Sequence, residues 1–536
     1  MLFRFWSSAT LQHYHPRMDA PNSTSLTNSQ TRPFTWSTIS PSKRLVYHPC
    51  FDGFQCARLD VPLDWNSTVG SEQQVAIAIV KLPARVPVTD PRYGGVVLLN
   101  PGGPGASGVD LCLRAGKPIQ QNIDSEVDPS SNIQQSSNLS IKYFDVLGFD
   151  PCGVNNTSPR FECFTNFFSR QSWTLFTNHV DVFGSSDTAF DGLWARTIAL
   201  AHSCSDTSIA VHNGHELQRF TNTAPVVTDM VEIMERHGEW REQEARSRPA
   251  QTSASHQHVQ SISDQIRRRR GEKKLLYWGS RMELCSVHPL QLCILIEWAA
   301  WSWTVYVMQK TYFVEAGRQI SKTPIPSYTN FAIIFTKPAV NDARFMLEAV
   351  LQKFWIDLKT CPLAVKASPN RGPDVITYSD VMRLIRVSLY SPPFGFPIIA
   401  RFLDEISRGN GSGFADYKQD EIPTCQSLSE SDPQERPEDC PDYDQLIYEV
   451  ADSIICTDAE DQTNLAKSDF RDYLTRRRNQ SKWLGDLFSV VRLPCFGWQV
   501  RPSWRFSGPI SGDPAHPLLF IGNTFDPVTP IHNIAL

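Results

Sequence analysis

The chain of 536 residues has the composition of a soluble globular protein, with 41% hydrophobic and 20% charged residues. This length can bury a large core, and it suggests two to four domains or one domain with large insertions. A net charge of -5 at pH 7 gives no reason to expect nucleic acid as a partner.

The N-terminal third alternates between polar and apolar stretches. Residues 1–45 are rich in Ser, Thr, Pro and Asn and have little periodicity, which predicts a disordered arm. Residues 57–65 predict an edge strand, where prolines are tolerated, and 74–81 predict a second strand of small and β-branched residues. The polar stretch 116–140 predicts a loop, and 143–149 predicts a buried strand.

A short apolar strand and the glycine-rich loop that follows it form the centre of this pattern. Four apolar residues at 96–99 predict a strand buried on both faces of a sheet. Gly102, Gly103 and Gly105 come next, and glycines let the backbone approach a ligand and turn its N–H groups outward. Such a loop can hold a phosphate or the oxyanion of an acyl-transfer intermediate.

The loop sequence favours the oxyanion over a phosphate. A P-loop ends in Gly-Lys-Ser/Thr, and no lysine follows until Lys117. Residues 103–108 fit the dinucleotide pattern G-x-G-x-x-G, but Pro104 lies inside it and we identify no helix-opening pattern. We therefore predict an oxyanion loop, with an ordinary glycine-rich turn as the alternative and a nucleotide site ranked last.

Strands and helices alternate after this loop. The loop at 150–156 should share one face with the glycine loop, because ligand-facing loops lie beyond the carboxyl ends of parallel strands. Apolar spacing predicts a helix over 223–237 that ends at Gly238, then a flexible loop over 241–274 and a short strand over 275–279. This alternation is typical of a mostly parallel α/β sheet.

The second half of the chain departs from this pattern. Residues 290–308 are apolar and rich in tryptophan, but polar residues interrupt them, so a membrane span ranks below a buried segment. Helical periodicity returns over 343–403, and polar loops are predicted over 407–445. Residues 517–522 predict a buried strand, which leads into a loop that contains Asp526.

Cysteines and glycosylation motifs favour a secretory or extracellular glycoprotein, although the N-terminus has no clear signal peptide. The 13 cysteines include no C-x-x-C pair, which gives little support to zinc or redox motifs. Disulfides could form in four loop-like contexts, namely Cys50/Cys56, Cys163/Cys204, Cys425/Cys440 and Cys456/Cys495. Seven Asn-x-Ser/Thr sequons begin at Asn22, Asn66, Asn138, Asn155, Asn156, Asn410 and Asn479.

Four segments in this order resemble the α/β-hydrolase fold, and more narrowly the fungal tripeptidyl aminopeptidase-like branch of the proline iminopeptidase (S33) serine peptidases. They are the glycine loop at 100–105, Phe-Asp-Pro-Cys-Gly-Val at 149–154, Tyr-Trp-Gly at 277–279 and Gly-Asn-Thr-Phe-Asp-Pro-Val-Thr-Pro at 522–530. The resemblance implies an inserted helical cap, cleavage of short peptides from a free N-terminus, and no metal or cofactor. It makes Asp526 the acid of a catalytic triad and the backbone around Gly102, Gly103 and Gly105 the oxyanion loop.

The sequence departs from that family at the nucleophile and at the base. The nucleophile elbow needs G-x-S-x-G, because its strained turn tolerates only small residues two places either side of the serine. Ser280 has Trp278 and Met282 at those positions, and no serine in the chain has glycine at both. His532 is the only histidine after Asp526, and we expect it to be solvated rather than to act as the triad base.

A third departure is Cys152, where the family has arginine. Family likeness is also lost after Gly279 and returns near Asp342, and the sequence stops at Leu536 before the family's histidine. Our hypothesis is that a read-through intron, a skipped exon or a frameshift produced both anomalies. A chain folded without those core elements should misfold or survive only as a partial domain.

These observations predict an α/β-hydrolase fold with an inserted cap and an incomplete core. The expected function is that of a serine hydrolase acting on peptide N-termini or small esters, inactive as written, without nucleic acid, metal or cofactor. A non-catalytic binding module and an esterase or lipase on the same scaffold are the alternatives. The expected units are an arm at 1–45, core at 46–280, an anomalous segment at 281–341, a helical cap at 342–485 and the last, truncated part of the core at 486–536.

Overall fold

The computed structural model of the protein describes residues 34–67, 73–130, 141–164, 167–178, 181–206, 216–247, 275–279, 353–390, 392–420, 443–481 and 484–506. Within these ranges, a six-stranded sheet is covered by helices on both faces. A further group of helices and a two-stranded hairpin follow in sequence.

The large sheet is mixed, with a parallel centre. Its strands are β1 His48–Pro49, β2 Gln55–Pro62, β3 Gln74–Leu82, β4 Tyr93–Asn100, β5 Tyr143–Phe149 and β6 Leu276–Gly279. They lie in the order β1-β2-β3-β5-β4-β6. Strands β5, β4 and β6 are parallel, and β1, β2 and β3 pair in antiparallel fashion on one side. This arrangement confirms the predicted α/β-hydrolase fold class.

The helices fall into two groups along the chain. The first group comprises α1 Gly108–Ile123, α2 Phe167–Asn178, α3 Ala189–Ser205 and α4 Thr223–Ser247. The second comprises α5 Tyr378–Ser388, α6 Pro392–Ser407, α7 Ser412–Asp420, α8 Tyr443–Asp458, α9 Lys467–Gln480 and α10 Gly485–Ser489, together with the hairpin strands β7 Leu363–Val365 and β8 Asp374–Ile376.

The central strands are buried on both faces, as their apolar runs predict. Alternate residues of β4 point to opposite faces of the sheet. Leu99 belongs to the core that includes Cys112 of α1, whereas Leu98 belongs to the core that includes Ile233 of α4. Helices α3 and α8 contribute to the second core as well. A strand covered on both sides requires apolar residues at every position, which is why the run at 96–99 is continuous.

The predicted disordered arm is wrong for its last residues. Trp36–Thr38 form a short 3-10 helix, and the Ile39 and Leu45 side chains are buried against the sheet. The ring of Phe34 packs edge-on against that of Trp36, with 5.4 Å between centroids. A few well-placed apolar side chains therefore order a stretch whose overall composition is polar.

The prediction that no helix opens after the glycine loop is wrong. Helix α1 begins at Gly108, immediately after the loop, and covers the first part of the predicted loop 116–140. The Ser107 side chain caps it, because its oxygen accepts a hydrogen bond from the Asp110 amide at 3.0 Å. Pro118 lies inside this helix, which hid its periodicity.

Helix α4 starts where predicted and extends further than predicted. It continues through Gly238 to Ser247, so the first residues of the predicted flexible loop 241–274 are helical. Two ion pairs support this extension, with Arg236 to Glu239 across Gly238 at 2.9 Å and Arg246 to Glu242 at 2.6 Å. Gly238 is buried in the packed part of the helix and does not end it.

In the second half, helix α5 lies within the predicted helical stretch 343–403, and α6 extends past it to Ser407. The helical prediction is wrong for strands β7 and β8, which lie inside the same stretch. Helix α7 lies inside the predicted polar loop 407–445, where Phe414 and Ala415 are buried against the same core as Ile376 of the hairpin. The turn before α7 uses Gly409 at φ +80°, a conformation that glycine adopts readily.

Three of the four predicted disulfides are confirmed, namely Cys50–Cys56, Cys163–Cys204 and Cys456–Cys495. The fourth, Cys425–Cys440, lies outside the described residues, as does the tryptophan-rich stretch 290–308. No helix in the described part of the chain is both long enough and apolar enough to cross a membrane.

Candidate functional site

The candidate site lies at the carboxyl edge of the three parallel strands. Strands β4, β5 and β6 end at Asn100, Phe149 and Gly279, and their parallel registers bring these ends together. The glycine loop follows β4 and the loop 150–157 follows β5, so both extend from one edge. The prediction that these two loops share one face is confirmed.

The three glycines of the loop adopt left-handed backbone conformations. The φ angles are +78° at Gly102, +122° at Gly103 and +88° at Gly105, which side chains with a Cβ rarely adopt. The Gly102 N–H donates to the Asn100 side-chain oxygen at 2.8 Å. That N–H is therefore directed back towards β4, and Gly103 is the next donor along the loop.

Asn100 also links the loop to β6. The Tyr277 hydroxyl forms a hydrogen bond with the Asn100 side chain. Burial raises the pKa of Tyr277 well above its usual range, although this hydrogen bond acts in the opposite direction. The phenol is thus neutral at physiological pH and acts as a hydrogen-bonding support for the loop.

Asp150 holds the two loops together. Its carboxylate is fully buried and accepts four hydrogen bonds, two of them from residues around the start of α1. These come from the Ser107 hydroxyl at 2.5 Å and the Val109 N–H at 3.1 Å. The other two come from the Asn156 N–H at 3.0 Å and the Asn156 side-chain amide at 2.9 Å. One carboxylate thereby fixes the glycine loop relative to the loop after β5.

The environment of Asp150 sets its charge state. Burial raises the pKa of Asp150 to about 6, and the hydrogen bonds from Ser107, Asn156 and Val109 limit the rise. The group is therefore ionised at pH 7 and takes up a proton in mildly acidic solution. Its role is structural, because all four donors to its carboxylate belong to the two loops and to the start of α1.

Helix α8 forms the wall beside the glycine loop. A Cβ added to Gly105 would lie 2.8 Å from the Ile447 carbonyl oxygen and 2.9 Å from a Val450 methyl group. Only glycine fits between this loop and the helix. The position of α8 therefore determines the shape of the space above the loop.

A buried ion pair fixes α8 in that position. The Arg170 guanidinium of α2 donates to a Glu449 oxygen at 2.6 Å, and the Cys163 N–H donates to the other oxygen at 2.6 Å. Arg170 and Glu449 are 1% and 5% exposed. Burial raises the pKa of Glu449, and the Arg170 charge opposes the rise. The Cys163–Cys204 disulfide ties the same region to α3.

Cys152 lies in the loop after β5, where the resembled family has arginine. Its thiol is buried, and burial together with the nearby Asp229 charge raises the pKa of Cys152 above its usual range. Asp229 of α4 accepts a hydrogen bond from the Trp65 indole at 2.8 Å. Burial raises the pKa of Asp229 to about 8. The loop thus presents a neutral thiol, not a cation, to this carboxyl group.

Asp526, the predicted catalytic acid, lies outside the described residues, as do Ser280 and His532, which the sequence did not support as nucleophile and base. Among the residues that are described, no cluster of three or more His, Cys, Asp or Glu side chains could hold a metal ion.

Sequence reasoning missed the residues that organise the site. Asp150 and Glu449 act through partners up to 286 residues away in sequence, and no local spacing indicates such contacts. One signal was available for Ser107, since a serine three places before Asp110 is a helix N-cap pattern.

A sheet with a parallel centre, helices on both faces and a glycine loop at the carboxyl end of a central strand defines a protein of the α/β-hydrolase class. Comparison with known proteins points to particular hydrolases. Carboxylesterase B of Mycobacterium tuberculosis is 33% identical over 112 residues, which are 21% of this chain and 17% of the relative. Serine protease Hip1 of the same organism is 29% identical over 132 residues, which are 25% of this chain and 20% of the relative.

These matches span about a fifth of the length of each relative. No family model matches the chain. The relatives and the fold together support an α/β-hydrolase-type family, at the level of a general serine hydrolase.

Proposed function

We propose that this chain is built as a serine hydrolase that acts on the N-terminal end of short peptides by acyl transfer. The observation that carries the proposal is the left-handed glycine loop at the carboxyl end of β4. Acyl transfer needs N–H donors fixed where the oxyanion develops, and a preorganised loop provides them without reorganisation. Since the Gly102 N–H already donates to Asn100, we assign the Gly103 N–H as the oxyanion donor.

The anchoring of the loop supports this role. Asp150 fixes its C-terminal side, Asn100 fixes its N-terminal side, and α8 packs against Gly105. An ordinary turn after a strand does not require attachment to three separate elements. A loop that must position a donor within a fraction of an ångström does require it.

The substrate class rests on the resemblance and on the relatives. The segments at 100–105, 149–154 and 522–530 resemble those of the tripeptidyl aminopeptidase-like branch, and this resemblance makes Asp526 the triad acid. The name of Hip1 describes a serine protease, which agrees with a peptide substrate. The name of Carboxylesterase B favours a second candidate, an esterase on the same scaffold.

We further propose that the chain as written binds acyl substrates without turning them over. With Gly279 as the first glycine of the elbow, the serine belongs at position 281, which is Arg281, and the neighbouring Ser280 has Trp278 and Met282 at the positions that need glycine. Trp278 is half-buried against the α1 side of the sheet, so its bulk is part of the core. A turn with these residues cannot present Ser280 at the strained angle that nucleophilic attack requires.

Turnover measurements test this proposal. The purified chain is incubated with a tripeptide 4-nitroanilide and with 4-nitrophenyl butyrate, and Ser280→Ala serves as the matched control. We expect both proteins to give the same background rate. Release above that of Ser280→Ala would overturn the proposed inactivity, and the substrate that is cleaved would separate peptidase from esterase.

Sequencing of the spliced transcript tests separately whether the gene encodes a complete hydrolase of this family. The reading runs from the codon of Tyr277 to that of Lys337 and past that of Leu536. We expect a Gly-x-Ser-x-Gly after Trp278 and a histidine beyond Leu536 in the restored sequence. A transcript identical to the present sequence would contradict the gene-model hypothesis and leave a repurposed relative without catalysis.

A further inference from the structure

We propose that Asn66, Asn410 and Asn479 carry N-linked oligosaccharides and that Asn156 does not. All four begin Asn-x-Ser/Thr sequons. A sequon alone does not separate used from unused sites, but the folded chain can carry a glycan only where the surroundings of the asparagine leave room for it. The inference is independent of the proposed function, since it concerns surface turns and not the candidate site.

The disulfides indicate the compartment in which such modification takes place. Cys50–Cys56, Cys163–Cys204 and Cys456–Cys495 are all formed. Disulfides persist in oxidising compartments and are rare in the cytosol. A chain that folds with three of them is exposed to the oligosaccharide donors of the secretory lumen.

Three sequons lie on exposed turns or helix ends. Asn66 lies in the turn after β2, Asn410 in the turn between α6 and α7, and Asn479 in the last turn of α9, and all three side chains are exposed. The Asn410 side-chain oxygen accepts a hydrogen bond from the Ser412 N–H at 3.1 Å. A sugar on the amide nitrogen leaves that oxygen in place, so the bond survives modification.

The sequon of Asn156 is used by the fold itself. Its side-chain amide nitrogen donates to the fully buried Asp150 at 2.9 Å. The sequon neighbour Thr157 is 1% exposed, and its hydroxyl donates to the Asp150 carbonyl oxygen at 2.6 Å and accepts from the Ala78 N–H at 3.0 Å. An oligosaccharide on Asn156 would have to occupy the space of this network.

The modification is a group transfer from a lipid-linked oligosaccharide pyrophosphate. The bond between the sugar C1 and the pyrophosphate oxygen breaks, and its electron pair leaves with the lipid pyrophosphate. A new bond forms between C1 and the asparagine Nδ2, which loses one proton. Each occupied asparagine therefore remains an amide, and its nitrogen keeps one N–H that can donate a hydrogen bond to solvent.

Site mapping tests the inference. The full chain is expressed in a yeast secretory host, treated with an amidase that removes N-glycans in ¹⁸O water, and digested for mass spectrometry. We expect ¹⁸O-labelled aspartate at positions 66, 410 and 479 and unlabelled asparagine at 156 in the folded fraction. Absence of label at those three positions, or label at 156, would overturn the inference.

Matched variants keep the test free of folding effects. Ser412→Ala destroys the sequon at Asn410, whereas Ser412→Thr retains it, and both change one exposed helix-end residue. We expect Ser412→Ala to lose one glycan step on a gel and Ser412→Thr to keep it. Equal mobility of the two variants would contradict the assignment of Asn410.

Discussion

Removing the Asp150 carboxylate should uncouple the glycine loop from the loop after β5. In Asp150→Ala, the Ser107 hydroxyl, the Val109 N–H and both Asn156 donors lose their acceptor in a fully buried place. Buried donors without partners are costly, so the two loops should separate or admit water. The structure thus predicts a stability loss that is concentrated at the candidate site.

The magnitude follows from two opposing contributions. In the protonated form, the four hydrogen bonds contribute about 6 kcal/mol, at about 1.5 kcal/mol each. The pKa of about 6, raised by burial from 3.8 and limited by these same hydrogen bonds, lowers that contribution by about 3 kcal/mol when the group ionises. The net loss in Asp150→Ala at pH 7 should be about 3 kcal/mol, out of a typical total of about 5–15 kcal/mol.

Urea unfolding at pH 4 and at pH 7 tests the reasoning. Because the folded-state pKa is raised, the contribution of this carboxyl group falls as pH rises from about 4 to about 6 and is constant above. The difference between wild type and Asp150→Ala should therefore be larger at pH 4 than at pH 7. Asp128→Asn, at an exposed aspartate, is the control and should change stability by less than about 0.5 kcal/mol. A difference of less than about 1 kcal/mol at both pH values, or one that grows with pH, would refute the account.

Three further predictions follow from packing and charge. A Cβ at Gly108 would lie only 2.2 Å from a β5 carbonyl oxygen, so Gly108→Ala should lower the free energy of unfolding in urea by about 3 kcal/mol. The control is Gly192→Ala in α3, where a Cβ meets nothing within 4 Å, and it should raise that free energy by about 0.5–1 kcal/mol. Lys81 is 1% exposed, and burial lowers its pKa to about 8 from 10.5. Between pH 8 and pH 10.5 the unfolded chain binds this proton more tightly than the folded chain, so the stability of the wild type should rise with pH and that of Lys81→Met should not. Glu449→Gln leaves the Arg170 charge buried without its main counterion and should lower stability by about 3 kcal/mol at pH 7, and an unchanged melting temperature would refute this role.

The predictable part of the fold is the part that depends on local periodicity. Strand β4 contains a continuous apolar run, and β5 is apolar apart from Asp145, because both faces of the sheet are covered. Helix α1 was not predicted because its N-terminal signal is a single capping residue, Ser107, and because Pro118 interrupts the apolar periodicity of the helix. The longer course of α4 is supported by surface ion pairs, which carry no apolar signal.

The organisation of the site was less predictable than the strands. The positions of Gly102, Gly103 and Gly105 follow from the need for left-handed backbone, which the composition of the loop already indicates. The partners of Asp150 and Glu449 come from distant elements and depend on how those elements pack. Such contacts are set by tertiary structure, so the sequence offers the residues but not their pairing.

We propose that this hydrolase fold retains an oxyanion loop and lacks a reactive serine. Intact-mass measurement after treatment with a fluorophosphonate tests it most directly, because an activated serine displaces fluoride and keeps the phosphonyl group. We expect an unchanged mass for the folded chain after this treatment. A single stoichiometric adduct, absent from Ser280→Ala, would contradict it.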